Sequence, residues 1–270
     1  MPLLKLSAVY APSPEAGFDV VIRGPMGGVL ETLKSLGFEG VELNIPNPFE
    51  VDAAELRGVV RAAGLEVSAI STGLSYIRYG YSLSSPEEGV RGESIKFFRK
   101  YIDLSIELGC GKVVVGLARG RCGSAGCRRA LESLRSSMEV LDEYAYGKGV
   151  TLVLEPLNRY ETDLINRVSE ALEFVKPYRS VKLLIDTFHS TLEERSPYEA
   201  IEVAGPYIAH VHVADSNRLA PGLGIIDWER VIYRLVKVGY RGYLSVEARA
   251  APSYEELLRV SARTLKPLLI

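Results

Sequence analysis

The chain has no glutamine, one tryptophan, and only three each of cysteine, methionine and histidine among 270 residues. Arginine also outnumbers lysine, and together with the missing glutamine this points to a thermophilic source, which bears on stability and not on chemistry. Neither sign of charge dominates. The 32 Lys and Arg face 34 Asp and Glu, a net charge of −2, which leaves little of the basic surface that a nucleic-acid partner requires. No apolar stretch approaches the roughly 20 residues of a membrane span. The opening MPLLKLSAVYAPSPEAG has too short an apolar run before Pro12 and Pro14 for a secretory signal, so the expectation is a cytoplasmic chain with no membrane partner. Cys110, Cys122 and Cys127 make an odd count, and Cys122-Gly-Ser-Ala-Gly-Cys127 lacks the spacing of paired zinc knuckles. A disulfide across that loop stays open at this point.

What the sequence does have is alternation. At 47% hydrophobic and 24% charged, it has the composition of a globular protein, and single (β/α)8 barrels run to about 250 residues. Short β-branched runs at Leu4–Val9, Gly40–Asn44, Glu66–Ser71, Lys112–Gly116, Val150–Glu155, Val181–Asp186, Ile208–Val213 and Tyr243–Glu247 read as strands, each followed by a stretch of helical periodicity. Eight such units predict an α/β fold, one TIM barrel spanning residues 1–270. Gly37, Gly64, Gly109, Gly149 and Gly239 stand where helices stop before strands. The longest irregular segment, Thr72 to about Gly92, is rich in Gly, Ser, Tyr and Pro and reads as an active-site lid.

Catalytic groups of a TIM barrel come from the C-terminal ends of several strands. Four apolar runs here end in a metal-capable side chain: Glu155, Asp186, His212 and Glu247, at intervals of 31, 26 and 35 residues. Each interval is about one βα unit, so the four belong on successive strands at one height around one rim. Any single strand-end acid more often caps a helix or pairs with an arginine, but four in phase point to a shared cation. Three carboxylates and an imidazole suit Mn²⁺, Mg²⁺ or Co²⁺ better than structural zinc, and a divalent ion relieves the repulsion of clustered acids. His189, three residues past Asp186, is expected to contact substrate. His210 shares the inward face with His212 one layer deeper, where a hydrogen-bonding role fits better than ligation.

Glu155-Pro-Leu-Asn158-Arg159-Tyr-Glu161, Asp186-Thr-Phe-His189 and His210-Val-His212-Val-Ala-Asp-Ser-Asn217-Arg218, the last continuing into Pro221-Gly-Leu-Gly224 and Asp227-Trp228, resemble the sugar phosphate isomerase/epimerase superfamily of xylose-isomerase-like barrels. Within it they resemble the D-tagatose 3-epimerase-like ketose 3-epimerases. Gly-Val-Glu42-Leu and Gly-Tyr-Ser-Leu-Ser-Ser-Pro86 add weaker support. The resemblance implies one divalent metal, Mn²⁺ foremost, held by Glu155, Asp186, His212 and Glu247. It makes Glu155 and Glu247 the acid/base pair as well, and gives Glu161, His189 and Arg218 the substrate hydroxyls. It also implies C3 epimerisation of a small sugar or sugar phosphate, and leaves a homo-oligomer open. The chain departs from the family after the fourth strand, where bulky aromatics give way to Gly116-Leu-Ala-Arg119-Gly-Arg121. Two readings of that stretch stay open: Arg119, or with less favour Arg121, receives a phosphate or carboxylate of the substrate, or the stretch is a solvated loop.

Two other readings come from the same fold. An endonuclease IV-like abasic-site nuclease would draw histidines from earlier strands, whereas all three here lie between 189 and 212. An inosose dehydratase or isomerase would use the same metal to enolise a cyclic ketone.

Overall fold

The computed structural model describes residues 4–13 and 19–269; Pro14, in the opening segment read above, lies outside the described residues. Eight strands close a barrel in sequence order: β1 (Leu4–Tyr10), β2 (Gly40–Asn44), β3 (Glu66–Ser71), β4 (Lys112–Val115), β5 (Thr151–Leu154), β6 (Val181–Asp186), β7 (Ile208–Val213) and β8 (Gly242–Val246). Every pairing is parallel, β8 to β1 included. The expected fold is the observed one, with ends moved by one residue at β1, β4, β5 and β8.

Ten helices occur among the described residues: α1 (Met26–Ser35), α2 (Ala53–Ala62), α3 (Gly73–Tyr79), α4 (Glu88–Leu108), α5 (Cys127–Lys148), α6 (Val168–Val175), α7 (Thr187–Glu193), α8 (Pro197–Ala204), α9 (Trp228–Lys237) and α10 (Tyr254–Leu265). The long helices α4 and α5 stop at Gly109 and Gly149, both left-handed at φ 81° and 68°, a backbone only glycine adopts without cost. Alternate strand residues such as Leu4, Leu6 and Ala8 join the main core with helix residues such as Val29 and Leu33.

The barrel interior is divided. Ala69, Val114, Val153 and Leu184, from β3 to β6, form a small apolar cluster. Ser7, Glu42, His210 and Ser245, from β1, β2, β7 and β8, are equally buried but polar. Barrel interiors are normally filled by layers of branched apolar side chains, so a polar half needs partners of its own.

The segment expected to be an irregular lid is largely ordered. Gly73–Tyr79 forms α3, and the loop after it is fastened where Leu83 N–H donates to Ala118 O at 2.9 Å and Ser84 N–H to Arg119 O at 3.0 Å. Leu83 is wholly buried, so lifting this loop would expose core surface. Cys122 and Cys127 are bridged, with Cα atoms 4.2 Å apart, which settles what the spacing left open.

Candidate metal centre and active site

Register aligns the rim. Asp186 of β6 sits opposite His212 of β7, and His212 opposite Ser245 of β8, while Glu155 and Glu247 lie one residue past the ends of β5 and β8. Both acids keep a ladder-like bond, Glu155 N–H to Val115 O at 3.2 Å and Glu247 N–H to Val213 O at 3.3 Å. One ligand atom from each of Glu155, Asp186, His212 and Glu247 falls within 4.8 Å of every other. His212 Nδ1 is 3.3 Å from Glu155 Oε1, 3.5 Å from Glu247 Oε2 and 4.0 Å from Asp186 Oδ2.

Whether these residues fit a cation can be judged from their unused atoms. Asp186 Oδ1 caps α7, accepting from Phe188 N–H at 2.6 Å and His189 N–H at 3.1 Å, while its Oδ2 has no partner. Glu155 Oε1 and His212 Nδ1 are also buried without a hydrogen-bond partner. Leaving such atoms unpaired is costly, and all three face one point. A hard divalent ion satisfies them together, so the donor set fits. Electrostatics agree. Burial and then the neighbouring Glu155 charge push the Asp186 carboxyl up to about 8, and burial raises Glu155 despite His212 beside it. His212 is carried well above its ordinary value, because the charges of Glu42, Glu247 and Glu155 outweigh its burial. In the absence of a cation the cluster therefore holds protons to balance its charge.

The side of His212 away from the centre is fixed by Glu42. Nε2 of His212 lies 3.0 Å from Glu42 Oε1, Nε2 of His210 lies 2.7 Å from Glu42 Oε2, and the Ser71 hydroxyl donates to Oε1 as well. A carboxylate only accepts, so both Nε2 atoms carry hydrogen, and the proton His212 gives up to become a ligand is the one on Nδ1, the nitrogen facing the acids. Burial works against the charge on Glu42, but the two imidazoles hold it well below the usual carboxylate range. His210 is thus a hydrogen-bonding residue, as its depth suggested. Glu42 was seen in the sequence only as a weak family mark. Its place on the inward parity of β2, with Asn44, is the one sequence signal that could have flagged it.

His189 is fixed by the same logic. Asn158 Oδ1 accepts from Tyr160 N–H at 2.9 Å, so its amide nitrogen faces His189 Nδ1 at 2.7 Å and Glu161 Oε1 at 3.1 Å. Nδ1 therefore accepts, and Nε2–H points inward without a partner, 3.9 Å from Glu155 Oε1 and 3.8 Å from Asp186 Oδ2. Burial and the nearby Arg218 charge hold this ring well below its ordinary pKa, leaving a neutral donor. Arg218, left-handed at φ 61°, pairs with Glu161, packs on the Phe188 ring at 4.8 Å and comes within 3.8 Å of Glu247 Oε2. Its Nε and Nη2 are buried and unbonded.

Arg119 is placed otherwise than expected. It is completely buried, and its guanidinium donates through Nη1 to Glu155 O and through Nη2 to Ile165 O at 3.1 Å. Ile165 is a β-branched residue held at φ 59°, a conformation that costs about 1–3 kcal/mol unless its surroundings impose it. Arg119 thus fastens the loop after β5, and its fork is no longer available to a substrate anion. The cleft above the three acids and the imidazole is lined instead by small and polar groups, Asn44, Ser71, Thr72, Gly73 and Gly116 among them, with about 340 Å³ of open space, mouth included. Gly116 is tight against the centre, since a Cβ there would stand 2.8 Å from Glu155 Oε2.

A parallel eight-stranded barrel with three acids and an imidazole converging at its C-terminal mouth is a TIM barrel with a candidate cation centre. The profile of the xylose isomerase-like TIM barrel family matches residues 30–268, and the chain belongs to that family. It is 31% identical over 231 residues to the D-psicose 3-epimerase of Ruminiclostridium cellulolyticum, covering 81% of this chain and 76% of that protein. It is 31% identical over 234 residues to the L-ribulose 3-epimerase of Mesorhizobium japonicum, covering 85% and 77%. A solved L-ribulose 3-epimerase matches with a TM-score of 0.83 over 98% of this chain and 94% of that one, at 24% identity, a likeness of fold. No helix among the described residues is long and apolar enough to cross a membrane.

Proposed function

We propose that this chain is a divalent-metal-dependent epimerase that inverts C3 of a small ketose, with Glu155 and Glu247 as its acid/base pair. The observation that carries the reading is the group of three buried ligand atoms without partners, on Glu155, Asp186 and His212, facing Glu247; the two related 3-epimerases supply the reaction class. A cation held by these four residues would act as a Lewis acid, Mn²⁺ the first choice and Mg²⁺ or Co²⁺ the others, acidifying the C–H bond between a ketose carbonyl and the neighbouring hydroxyl.

The protein groups divide the remaining work. Glu155, whose proton affinity burial raises, can take the proton from one face of C3 and hold it. Glu247 returns one from the other face, and the reverse reaction exchanges the roles. The neutral His189 Nε2–H and the Nε and Nη2 of Arg218, which make no hydrogen bond although Nη2 stands 3.8 Å from Glu247 Oε2, would donate to substrate oxygens as negative charge builds up on them when the proton leaves. Glu161 orients Arg218. The net change is one stereocentre, with no redox partner and no group transferred.

Incubation of Mn²⁺-loaded protein with a ketose panel in D₂O tests this. The expected result is deuterium at C3 together with the C3 epimer, reduced by about 10²–10⁴-fold in Glu155→Gln and in Glu247→Gln. Exchange at C1 with aldose formation would make the chain an aldose–ketose isomerase, loss of water from a cyclic ketone an inosose-type dehydratase, and cleavage of an abasic-site duplex a nuclease. Full turnover in either glutamine variant would remove the two-base assignment.

A further inference from the structure

The opposite, N-terminal mouth of the barrel holds a second cavity, with about 800 Å³ of open space, mouth included. Arg57 and Arg61 of α2, Ser68 of β3, Lys112 of β4 and Tyr243 of β8 line it. From its residues we infer a binding site for a phosphate group at this mouth, separate from the candidate cation centre.

Arg57 and Arg61 are four apart on one helix, so both project to the same side. Lys112 has the inward parity of Val114, which belongs to the interior cluster. Among the described residues none of the three has a carboxylate at ion-pair distance. The acid in the wall, Glu66, is already engaged by Lys5 at 3.0 Å and by the Tyr243 hydroxyl.

Unpaired cations repel, and a fold that gathers three around one cavity is stabilised by an anion between them. Two further observations point to a ligand. The Ser68 hydroxyl, 2% exposed, has no hydrogen-bond partner, and neither does the buried Nε of Arg57. Arg57 is also braced: its Nη1 donates to Glu107 O at 3.2 Å, and its guanidinium lies over Gly109, where an added Cβ would come within 3.7 Å of Nη2. Two guanidinium forks, an ammonium and a hydroxyl are the donor set that phosphate oxygens accept from, and the charge of a phosphate dianion suits three cations better than one carboxylate would. Inorganic phosphate and a phosphorylated metabolite share this chemistry.

The test is calorimetric titration of inorganic phosphate, and separately of a hexose 6-phosphate, into EDTA-treated and Mn²⁺-loaded protein. Saturable binding of one equivalent to both forms is expected, weakened about tenfold or more in Arg61→Ala and in Lys112→Met, while Mn²⁺ affinity at the other mouth stays the same. The tighter probe names the source, free phosphate or phosphorylated metabolite. Thermal melting with and without phosphate guards against a variant that merely misfolds, because only a chain with the site gains stability from the anion. No saturable binding, binding as tight in both variants as in the unaltered chain, or binding that appears only with Mn²⁺ would each overturn the site.

Discussion

Replacing Glu42 by glutamine tests how the His212 imidazole comes to present Nδ1 to the acids. Glu42 is wholly buried and accepts from three donors, His210 Nε2, His212 Nε2 and the Ser71 hydroxyl. In the variant one carboxylate oxygen becomes an amide NH₂, so whichever way the amide turns, one imidazole N–H meets another donor. Turned toward His212, it drives that ring to the tautomer with hydrogen on Nδ1, the atom 3.3 Å from Glu155 and 3.5 Å from Glu247, and ligation is blocked. Turned toward His210, it leaves the His212 tautomer intact but puts a neutral acceptor behind the ring. A hydrogen bond to a charged group is worth roughly 1.5–3 kcal/mol against 0.5–1.5 for a neutral one, so the imidazole becomes a poorer donor to metal. Both routes predict Mn²⁺ affinity lower by about 10–100-fold, the range usual for groups that orient metal-binding histidines. Titration of Mn²⁺ into EDTA-treated protein reads that loss, and ¹⁵N resonances of the three imidazoles read the tautomer directly. Unchanged Mn²⁺ affinity in a folded variant, with His212 still protonated at Nε2, would refute the reasoning.

The Asp186 carboxyl, pushed up to about 8 by burial and by the Glu155 charge, keeps its proton in the metal-free fold while an unfolded aspartate loses it near pH ~4. Between those values the metal-free fold binds more protons than the unfolded chain, so its stability falls as pH rises. A cation must expel that proton, and the one that His212 carries on Nδ1 as well, so Mn²⁺ affinity should rise by at least about tenfold per pH unit until about pH 8; a flat titration series would contradict this. Gly116→Ala puts a Cβ 2.8 Å from Glu155 Oε2, and C3 exchange should fall at least about tenfold with a stability loss within the roughly 1–3 kcal/mol of ordinary overpacking; full activity would mean that Glu155 has room to swing. Arg119→Met strips the carbonyls of Glu155 and Ile165 of their donor, and denaturant melts should show a loss of about 2–6 kcal/mol at roughly 1–3 per orphaned acceptor. A stable variant altered only in KM for anionic substrates would return Arg119 to the substrate.

Fold and ligand set were legible because each rests on a pattern that repeats along the chain. A β-branched run closing on Glu155, Asp186, His212 or Glu247 recurs at about one βα unit, and register does the rest, as the Asp186 to His212 pairing shows. What escaped depends on contacts that no local pattern encodes. Glu42 meets His212 across 170 positions, brought together through the closure of β8 onto β1 and the polar side of the interior. Its place just after the fourth strand gave Arg119 its height on the barrel but not its direction. The residue closes a 3₁₀ turn, Leu117–Arg119, which turns its side chain back under the Glu155 carbonyl. Composition likewise made 72–92 look loose, since Gly, Ser and Tyr say nothing of the two main-chain bonds that tie Leu83 and Ser84 to Ala118 and Arg119. These last two cases are one contact system: the same short turn fastens the loop after β3 through its backbone and the loop after β5 through its guanidinium. A change at Arg119 is therefore expected to reach the wall at Thr72 and Gly73 as well as Glu155, with the apparent lid and the supposed anion-binding arginine acting as a single brace around the candidate acid/base residue.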